Sequence, residues 1–286
     1  YFRLYKCSHI GYNIRKRRKL QLLLVFDIGN TNIVAAVFDG ERIAYQWRLY
    51  SDTKRTADEY TSVMRSFFRD AKVPESEIDS AVLSSVVPLL TGPFISVAVN
   101  LIGKKPLIVA PPLFDKLPVK IPESAVHQIG SDIVCNAVEA YCRFRGPCIV
   151  VDFGTALTFT AIDAQGAIQG VAIAPGLGTA LRSLFNNTAQ LPSVPLESPP
   201  DALGTNTIHS IQAGIVLGYK GLTESLTARI KSDLCKKTGC NSASIRVIAT
   251  GGLNSVIKPI TDTLESVDKA LTLKGLRRIA AVCKLA

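Results

Sequence analysis

The same short pattern occurs twice in this chain of 286 residues, and it restricts the fold more than any other feature. An apolar run at 22–26 ends in the motif DIGNTN (27–32), and a second apolar run at 148–151 ends in DFGTALT (152–158). Each motif leads into another apolar strand, a turn and a third strand, a succession typical of strands buried in a sheet. A repeat on this scale predicts an α/β protein whose two similar domains face each other across a cleft.

The apolar periodicity on either side of the motifs predicts the other elements. In the first half we expect strands at 33–38, 42–49, 80–86 and 106–109, and helices at 56–71 and 89–102. In the second half we expect strands at 159–162, 167–173 and 245–249, and helices at 130–145, 178–186, 207–231 and 274–284. The segment 111–128 is predicted to be a connection, so the N-terminal domain would span 21–128 and the C-terminal domain 129–286.

The positive charge of the chain is concentrated at its N-terminal end. The net charge is +10, but residues 1–20 hold seven basic side chains and no acidic one, so the rest of the chain is close to neutral. Because the chain starts at Tyr1 and its only methionine is Met64, we expect residues 1–20 to be a basic N-terminal extension, non-native or disordered. Without that segment, no nucleic-acid partner is predicted. No apolar run approaches the roughly 20 residues of a membrane helix, so no membrane partner is predicted either.

The cysteine pattern indicates a reducing compartment. Seven cysteines are irregularly spaced and form no C-x-x-C, and there are only three histidines. An odd, irregular set argues against a disulfide framework or a zinc site. We therefore predict a cytoplasmic protein whose cysteines are mostly small core residues.

A tight turn between two strands, with an aspartate at its entrance, is well suited to bind phosphate. Glycine lets a phosphate approach the backbone closely, and successive turn amides form a concave anion site. The aspartate can hold a cation that neutralises phosphate charge, directly or through water. One such motif is compatible with an ordinary hairpin. Two of them, each after an apolar strand, predict loops that clamp a triphosphate for phosphoryl transfer.

Two other segments each allow two interpretations. The TGGL sequence at 250–253 follows an apolar strand, and it is either a plain turn or a flat surface for a base or ribose. Asp132 lies at the start of a predicted helix. It is either an acid stabilised by the helix dipole or a base that takes the proton from a substrate hydroxyl.

Together these motifs resemble a known kinase family. DIGNTN at 27–32, DFGTALT at 152–158 and ATGGL at 249–253 resemble the phosphate and adenosine motifs of the acetate and sugar kinase, Hsp70 and actin superfamily. More narrowly, they resemble those of type III pantothenate kinase. Further matches are WR at 47–48, RTADEY at 55–60, G-x-D at 130–132, APGL at 174–177, LGTNT at 203–207 and LTLKGL at 271–276. The resemblance implies two duplicated ribonuclease H-like domains of the actin/Hsp70-like ATPase type.

The resemblance also implies a reaction and the residues that perform it. The family phosphorylates pantothenate to 4'-phosphopantothenate with ATP, the first step of coenzyme A biosynthesis, as a cytoplasmic homodimer that needs Mg²⁺ and a monovalent cation, K⁺ or NH₄⁺. By position, Asp132 would be the proton acceptor and Asp152 would bind the monovalent cation. ATP would be bound by Asp27, Ile28, Gly29, Asn30, Thr31, Asn32, Ile33, Val34 and Thr155. Pantothenate would be bound by Gly130, Ser131, Asp132 and Thr207.

Three departures from the family pattern concern the substrate side more than the ATP side. Position 133, an arginine in the family, is Ile133, which can neither pair with a substrate carboxylate nor hold Asp132 ionised. The family tyrosine before the motif is replaced by Glu123, and the acid that ends the second motif by Thr160. Two alternatives therefore stay open: a weak or inactive nucleotide-binding relative with a regulatory role, like the Bvg accessory factors, or a kinase for a different small alcohol.

Overall fold

The computed structural model describes residues 22–188 and 191–285. The predicted basic extension at 1–20 lies outside these ranges. The described chain forms two five-stranded mixed sheets. The strands of the first sheet are β1 (Leu22–Ile28), β2 (Asn32–Asp39), β3 (Arg42–Tyr50), β4 (Ile78–Ser85) and β5 (Leu107–Ile108). The strands of the second are β6 (Cys148–Phe153), β7 (Ala156–Ile162), β8 (Ile168–Pro175), β9 (Arg246–Thr250) and β10 (Ser266–Val267).

The two sheets repeat one topology. The first has the order β3-β2-β1-β4-β5 and the second, read in the same sense, β8-β7-β6-β9-β10. In each, the motif strand pairs antiparallel with the strand that follows it and parallel with a later strand on its other side. The predicted duplication is therefore confirmed at the level of strand order and direction.

Nine helices, together with short 3₁₀ turns, complete the described chain. They are α1 (Ala57–Ala71), α2 (Pro88–Ile102), α3 (Pro111–Phe114), α4 (Ser131–Phe144), α5 (Leu177–Asn186), α6 (Thr207–Gln212), α7 (Gly218–Thr238), α8 (Asn254–Ile257) and α9 (Leu271–Val282). Helix α1 begins with a capping box in which Thr56 and Glu59 bind each other's backbone N–H. None of the helices in the described ranges combines the length and apolar character that crossing a bilayer requires.

The structure adds detail that the apolar pattern did not show. The helix predicted at 207–231 is α6 and α7 joined by one π-helical turn, Ala213–Leu217. The predicted connection at 111–128 contains the short helix α3 and a 3₁₀ turn at Glu123–Ala125. Strand β10 was not predicted, because two residues are too few for an alternating pattern to stand out.

Helices α4 and α9 lie between the two sheets and share one core with both. This core includes Val25 of the first sheet, Val150 of the second, Val138 of α4 and Ile279 of α9, all essentially inaccessible to solvent. Helix α9 also packs against β1 and β4, so the end of the chain covers the sheet of the first half. The division at residues 128/129 remains a prediction.

A glycine allows α4 and α9 to pack closely. A side chain at Gly275 of α9 would collide with the carbonyl of Cys135 on α4, so the two backbones approach as only glycine permits. The contact lies at the G of the LTLKGL sequence, and it brings α9 onto the same stretch of α4 that carries Asp132.

A buried ionic network connects the same two helices. Glu139 of α4 is 3% exposed and accepts hydrogen bonds from Arg143, at 3.1 Å, and from Arg278 of α9, at 2.7 Å. Arg143 also bonds to Asp268, which in turn accepts a bond from Lys274 at 2.7 Å. Because the Glu139 carboxylate is removed from water, its two guanidinium partners are what make its burial tolerable.

We expect Glu139→Gln to destabilise the protein by about 1–3 kcal/mol, because the Arg143 and Arg278 guanidinium groups would lose their shared carboxylate. Denaturant unfolding would measure the change. The matched control is Asp233→Asn, which removes an exposed ion pair with Lys236 at 3.7 Å. That change should stay within about 0.5 kcal/mol, and equal effects of the two substitutions would contradict a structural role for the network.

Candidate active site

Three aspartates converge where the two sheets meet α4. Asp27 lies near the end of β1, Asp152 near the end of β6, and Asp132 in the first turn of α4. Asp27 and Asp152 occupy corresponding positions of the two repeated strands. The charge of Asp132 acts on both of them, and that of Asp152 also acts on Asp27. The structure therefore brings together the three carboxylates that the sequence analysis singled out.

Burial raises the pKa values of all three carboxyls, and repulsion adds to the rise for Asp27 and Asp152. Burial, reinforced by the charges of Asp132 and Asp152, raises the pKa of Asp27 to about 8. Burial and the charge of Asp132 raise the pKa of Asp152 to about 7. Burial also raises the pKa of Asp132, against a hydrogen bond from the Ile133 N–H at 2.8 Å. A cation placed among them would offset both effects.

The two repeated loops touch at their tips. The Thr31 hydroxyl lies 2.9 Å from that of Thr155. Each loop is closed by a backbone hydrogen bond from its glycine, across three residues in the first loop and two in the second. Gly29 N–H donates to the Asn32 carbonyl at 3.0 Å, and Gly154 N–H to the Ala156 carbonyl at 3.1 Å. Side chains at the loop tips are accessible to solvent, with Thr155 exposed. The loops are therefore placed to hold one polyphosphate between them.

The predicted ATP residues divide into two groups. Those at the tip of the first loop are accessible, namely Gly29, Asn30, Thr31 and Asn32. Ile28 and Ile33 are fully buried in the core of the first half, so only their backbone can line the loop. Val34 is half-buried and faces the core between the sheets.

The loop that follows β9 lies against the loop of the second motif. Gly251 has φ +84°, and a side chain there would meet the Phe153 backbone and the Asp152 carboxylate. Only glycine combines this backbone conformation with so close an approach. The TGGL segment is thus part of the same site and is not a turn elsewhere on the surface.

The residues predicted to bind substrate are not all in one place. Gly130 and Asp132 lie at the start of α4, beside Asp27 and Asp152. The Ser131 hydroxyl is buried and is bonded to Ser84, at 2.9 Å, and to the Ser85 backbone, so it joins α4 to β4. Thr207 is exposed at the start of α6.

Thr207 lines a cavity of about 620 Å³ that none of the three aspartates borders. Its other lining residues come from the region of α5 and α6: Leu184, Leu191, Gly204, Thr205, Asn206, Ser210, Ile211, Gly214 and Ile215. Within one chain, the structure therefore separates Thr207 from the site that holds Asp132.

Two functional positions were missed by the sequence analysis. Asn136 is buried and donates to Asp152 at 3.0 Å, and it accepts from Thr272 of α9 at 2.9 Å. The signal for Asn136 was available, since it lies four residues after Asp132 on the same face of α4. Thr272 carried no local signal, because only the packing of α9 on α4 brings it there.

The site fits a bound cation that is shared with phosphate oxygens. Among residues 22–188 and 191–285, no group of three His, Cys, Asp or Glu side chains is arranged to hold a metal alone. However, Asn136 engages one oxygen of Asp152, and the other faces the glycine loops at 154 and 251. One free carboxylate oxygen beside a polyphosphate loop can share a cation with phosphate oxygens.

The sequence profile described as type III pantothenate kinase matches residues 23–229. The chain belongs to the type III pantothenate kinase family. It is 40% identical over 256 residues to the type III pantothenate kinase of Geobacter sulfurreducens, covering 90% of this chain and 97% of the relative. It is 41% identical over 262 residues to that of Treponema pallidum strain Nichols, covering 90% and 93%. The predicted family membership is confirmed.

Solved structures agree on the fold. A protein from Campylobacter jejuni assigned to the Baf family of transcriptional activators superposes with a TM-score of 0.57 at 18% identity, covering 92% of this chain and all of that one. MreB 5 of Spiroplasma citri bound to AMPPNP superposes with a TM-score of 0.51 at 11% identity, covering 92% and 97%. At such identities these similarities show the fold alone, and they confirm the actin-like ATPase architecture. None of them favours a regulatory protein over a kinase.

The raised pKa values predict how stability depends on pH. Between pH about 4 and 8, folded Asp27 and Asp152 bind more protons than the unfolded chain, whose aspartates titrate near 3.9. The ligand-free protein should therefore lose stability as pH rises through this window, by at most about 1.4 kcal/mol per pH unit for each carboxyl.

Thermal unfolding between pH 5 and 8 would measure this slope. We expect Asp27→Asn and Asp152→Asn to make it shallower, whereas Asp233→Asn, on the exposed surface of α7, should leave it unchanged. Parallel slopes for all four proteins would contradict the assignment.

Proposed function

We propose that this protein transfers the terminal phosphoryl group of ATP to the hydroxyl of pantothenate, giving 4'-phosphopantothenate for coenzyme A biosynthesis. The observation that carries the proposal is the 2.9 Å contact between Thr31 and Thr155, which joins two phosphate loops beside Asp132. Membership of the type III pantothenate kinase family supplies the acceptor. The loop amides would stabilise the charge that develops on the transferred group.

In this mechanism the oxygen of the acceptor hydroxyl attacks the γ-phosphorus of ATP, and Asp132 receives the proton of that hydroxyl. Burial raises the pKa of Asp132 and so makes its carboxylate a better base than an exposed aspartate. The hydrogen bond from the Ile133 N–H fixes one of its oxygens and leaves the other for the substrate. Because reactants held in line gain most of their rate from positioning, the fixed orientation matters as much as the basicity.

Asp27 and Asp152 would hold the cations, Mg²⁺ with the phosphates and a monovalent cation, K⁺ or NH₄⁺, at Asp152. Bound cations would neutralise phosphate charge and keep both carboxyls ionised. Asn136 supports this role, since it orients Asp152 through one oxygen only. Thr155 and the loop from Asp27 to Val34 would contact ATP.

Pantothenate would lie against Gly130, Ser131 and Asp132, with Thr207 supplied by the partner in a homodimer. Two observations support a homodimer. Thr207 lies in a cavity that the three aspartates of its own chain do not border. Large apolar side chains of the same region are exposed, with Ile173 70%, Phe185 48% and Leu203 87% accessible. A twofold arrangement would cover such a surface and bring a second Thr207 to each site.

We also propose a cytoplasmic location with no nucleic-acid or membrane partner. The six cysteines of the described chain are free thiols, which suits a reducing compartment.

Replacement of the proposed base tests the reaction directly. With ATP, pantothenate and K⁺, Asp132→Asn should lower kcat by about 10²–10⁴-fold while ATP affinity stays within about twofold. Asp58→Asn is the matched control, because it also removes an acid from the first turn of a helix, but at an exposed position of α1. Each protein would be assayed in K⁺ and in Na⁺, and lower turnover of the wild type in Na⁺ is expected.

Full activity of Asp132→Asn would contradict its role as the base. ATP binding without turnover of pantothenate by the wild type would favour the regulatory alternative, and turnover of another small alcohol would favour a different kinase.

Ile133 predicts weak recognition of the pantothenate carboxylate. It is half-buried next to Asp132, and it offers no charge. Ile133→Arg should therefore lower the KM for pantothenate by about five- to tenfold through a charge-assisted hydrogen bond, with the KM for ATP unchanged. Ile133→Met, a long uncharged side chain, is the control and should leave the KM for pantothenate near the wild-type value. An unchanged KM in Ile133→Arg would mean that another group already binds the carboxylate.

A further inference from the structure

Arg48 lies in one row with Asp27 across the first sheet. In the strand ladders Arg48 pairs with Val34, Val34 with Asp27, and Asp27 with Ser84. Residues paired across neighbouring strands point to the same face of a sheet. Arg48, Val34, Asp27 and Ser84 therefore share one face, in that order from the edge strand inward.

This face is the one that carries the active site. Ser84 contacts Ser131 of α4 at 2.9 Å, and Val34 packs on the core between the two sheets. Trp47, the residue before Arg48 on β3, packs on the opposite face of the sheet against Phe67 and Phe68 of α1. Because successive residues of a strand alternate sides, Arg48 faces the carboxylates.

The first phosphate loop is hydrogen-bonded to the same end of β3. The Ser51 N–H donates to the Thr31 carbonyl at 3.1 Å, and the Ser51 hydroxyl donates to the Gly29 carbonyl at 2.5 Å. Arg48 lies three residues before Ser51. Its long side chain therefore starts beside the loop that is proposed to hold the ATP phosphates.

Arg48 is available for an anionic ligand. Its side chain is exposed, and no carboxylate in the described chain lies within ion-pair distance of its guanidinium. Its charge nevertheless reaches Asp27, whose pKa it lowers against the larger effect of burial. The positive charge of Arg48, which has no carboxylate partner among the described residues, can therefore offset the repulsion between the three carboxylates and an incoming polyphosphate.

We propose that Arg48 binds oxygens of the terminal phosphate of ATP. This inference rests on the proposed function and adds a positively charged group to the first loop. A guanidinium forms paired hydrogen bonds with two phosphate oxygens and stays charged at every working pH. It would thereby hold the group that is transferred, on the side of Asp27 opposite to Ser84 and Asp132.

Nucleotide affinities, measured by calorimetry without pantothenate, test this proposal apart from the reaction. The full chain and its Arg48→Ala, Arg48→Lys and Arg42→Ala variants would each be titrated with Mg-ATP and Mg-ADP. Arg42 is the matched control, because it lies at the other end of β3 and pairs with Asp39 at the surface. Circular dichroism and the unfolding midpoint would check that each variant is folded.

We expect Arg48→Ala to weaken ATP binding by about tenfold or more and ADP binding by less than about twofold. Arg48→Lys should recover part of the loss, since it restores the charge without the paired geometry. Arg42→Ala should behave as the wild type. In the kinetic assay, Arg48→Ala should lower kcat and raise the KM for ATP while the KM for pantothenate stays the same.

Two results would overturn the proposal. Equal loss of ATP and ADP affinity would mean that Arg48 acts on a part common to both nucleotides. Unchanged affinity for both, with a raised KM for pantothenate, would mean that it binds the acceptor carboxylate. Because the nucleotide titrations need no acceptor, they remain decisive even if pantothenate proves not to be the substrate.

Discussion

Three carboxylates held close together and partly removed from water are the constraint on which the rest of this structure depends. Asp27, Asp132 and Asp152 come from different elements, and burial, reinforced by their mutual repulsion, raises the pKa values of Asp27 and Asp152 to about 8 and about 7. Such an arrangement is costly unless the surrounding packing imposes it. The protein imposes it by placing α4 and α9 between two sheets and joining them through a shared apolar core.

The same packing explains why the site can be both rigid and open. The Glu139 network and the close contact at Gly275 fix α4 against α9, so Asp132 and Asn136 have defined positions. The phosphate loops are accessible at their tips and touch through Thr31 and Thr155. In the proposed reaction, the protein groups that surround the transferred phosphoryl group are already oriented. The binding energy of ATP and its cations is therefore not needed to orient them and can offset the repulsion between the negative charges.

The acceptor side is organised differently from the ATP side. Ile133 and the exposed Glu123 stand where the family resemblance implies an arginine and a tyrosine, and Thr207 lines a cavity that the three aspartates do not border. Affinity for pantothenate would then depend more on a neighbouring subunit and less on the start of α4. The proposed phosphoryl transfer relies on Asp132 and the two loops, which are present whatever happens on the acceptor side.

The sequence by itself determined the two repeated strand–loop–strand units and their loops, because an apolar run ending in Asp-x-Gly is a local signal that does not depend on distant residues. The repeated motifs and the predicted helix start singled out all three aspartates, and the family resemblance added the roles that are proposed for them. Only the tertiary structure decided that Thr31 meets Thr155, that Thr272 supports Asp152 through Asn136, and that Arg48 shares a face with Asp27. The physical reason is that these relations come from strand register and from the packing of α9 on α4, which join residues more than a hundred positions apart or across strands whose pairing no local pattern specifies.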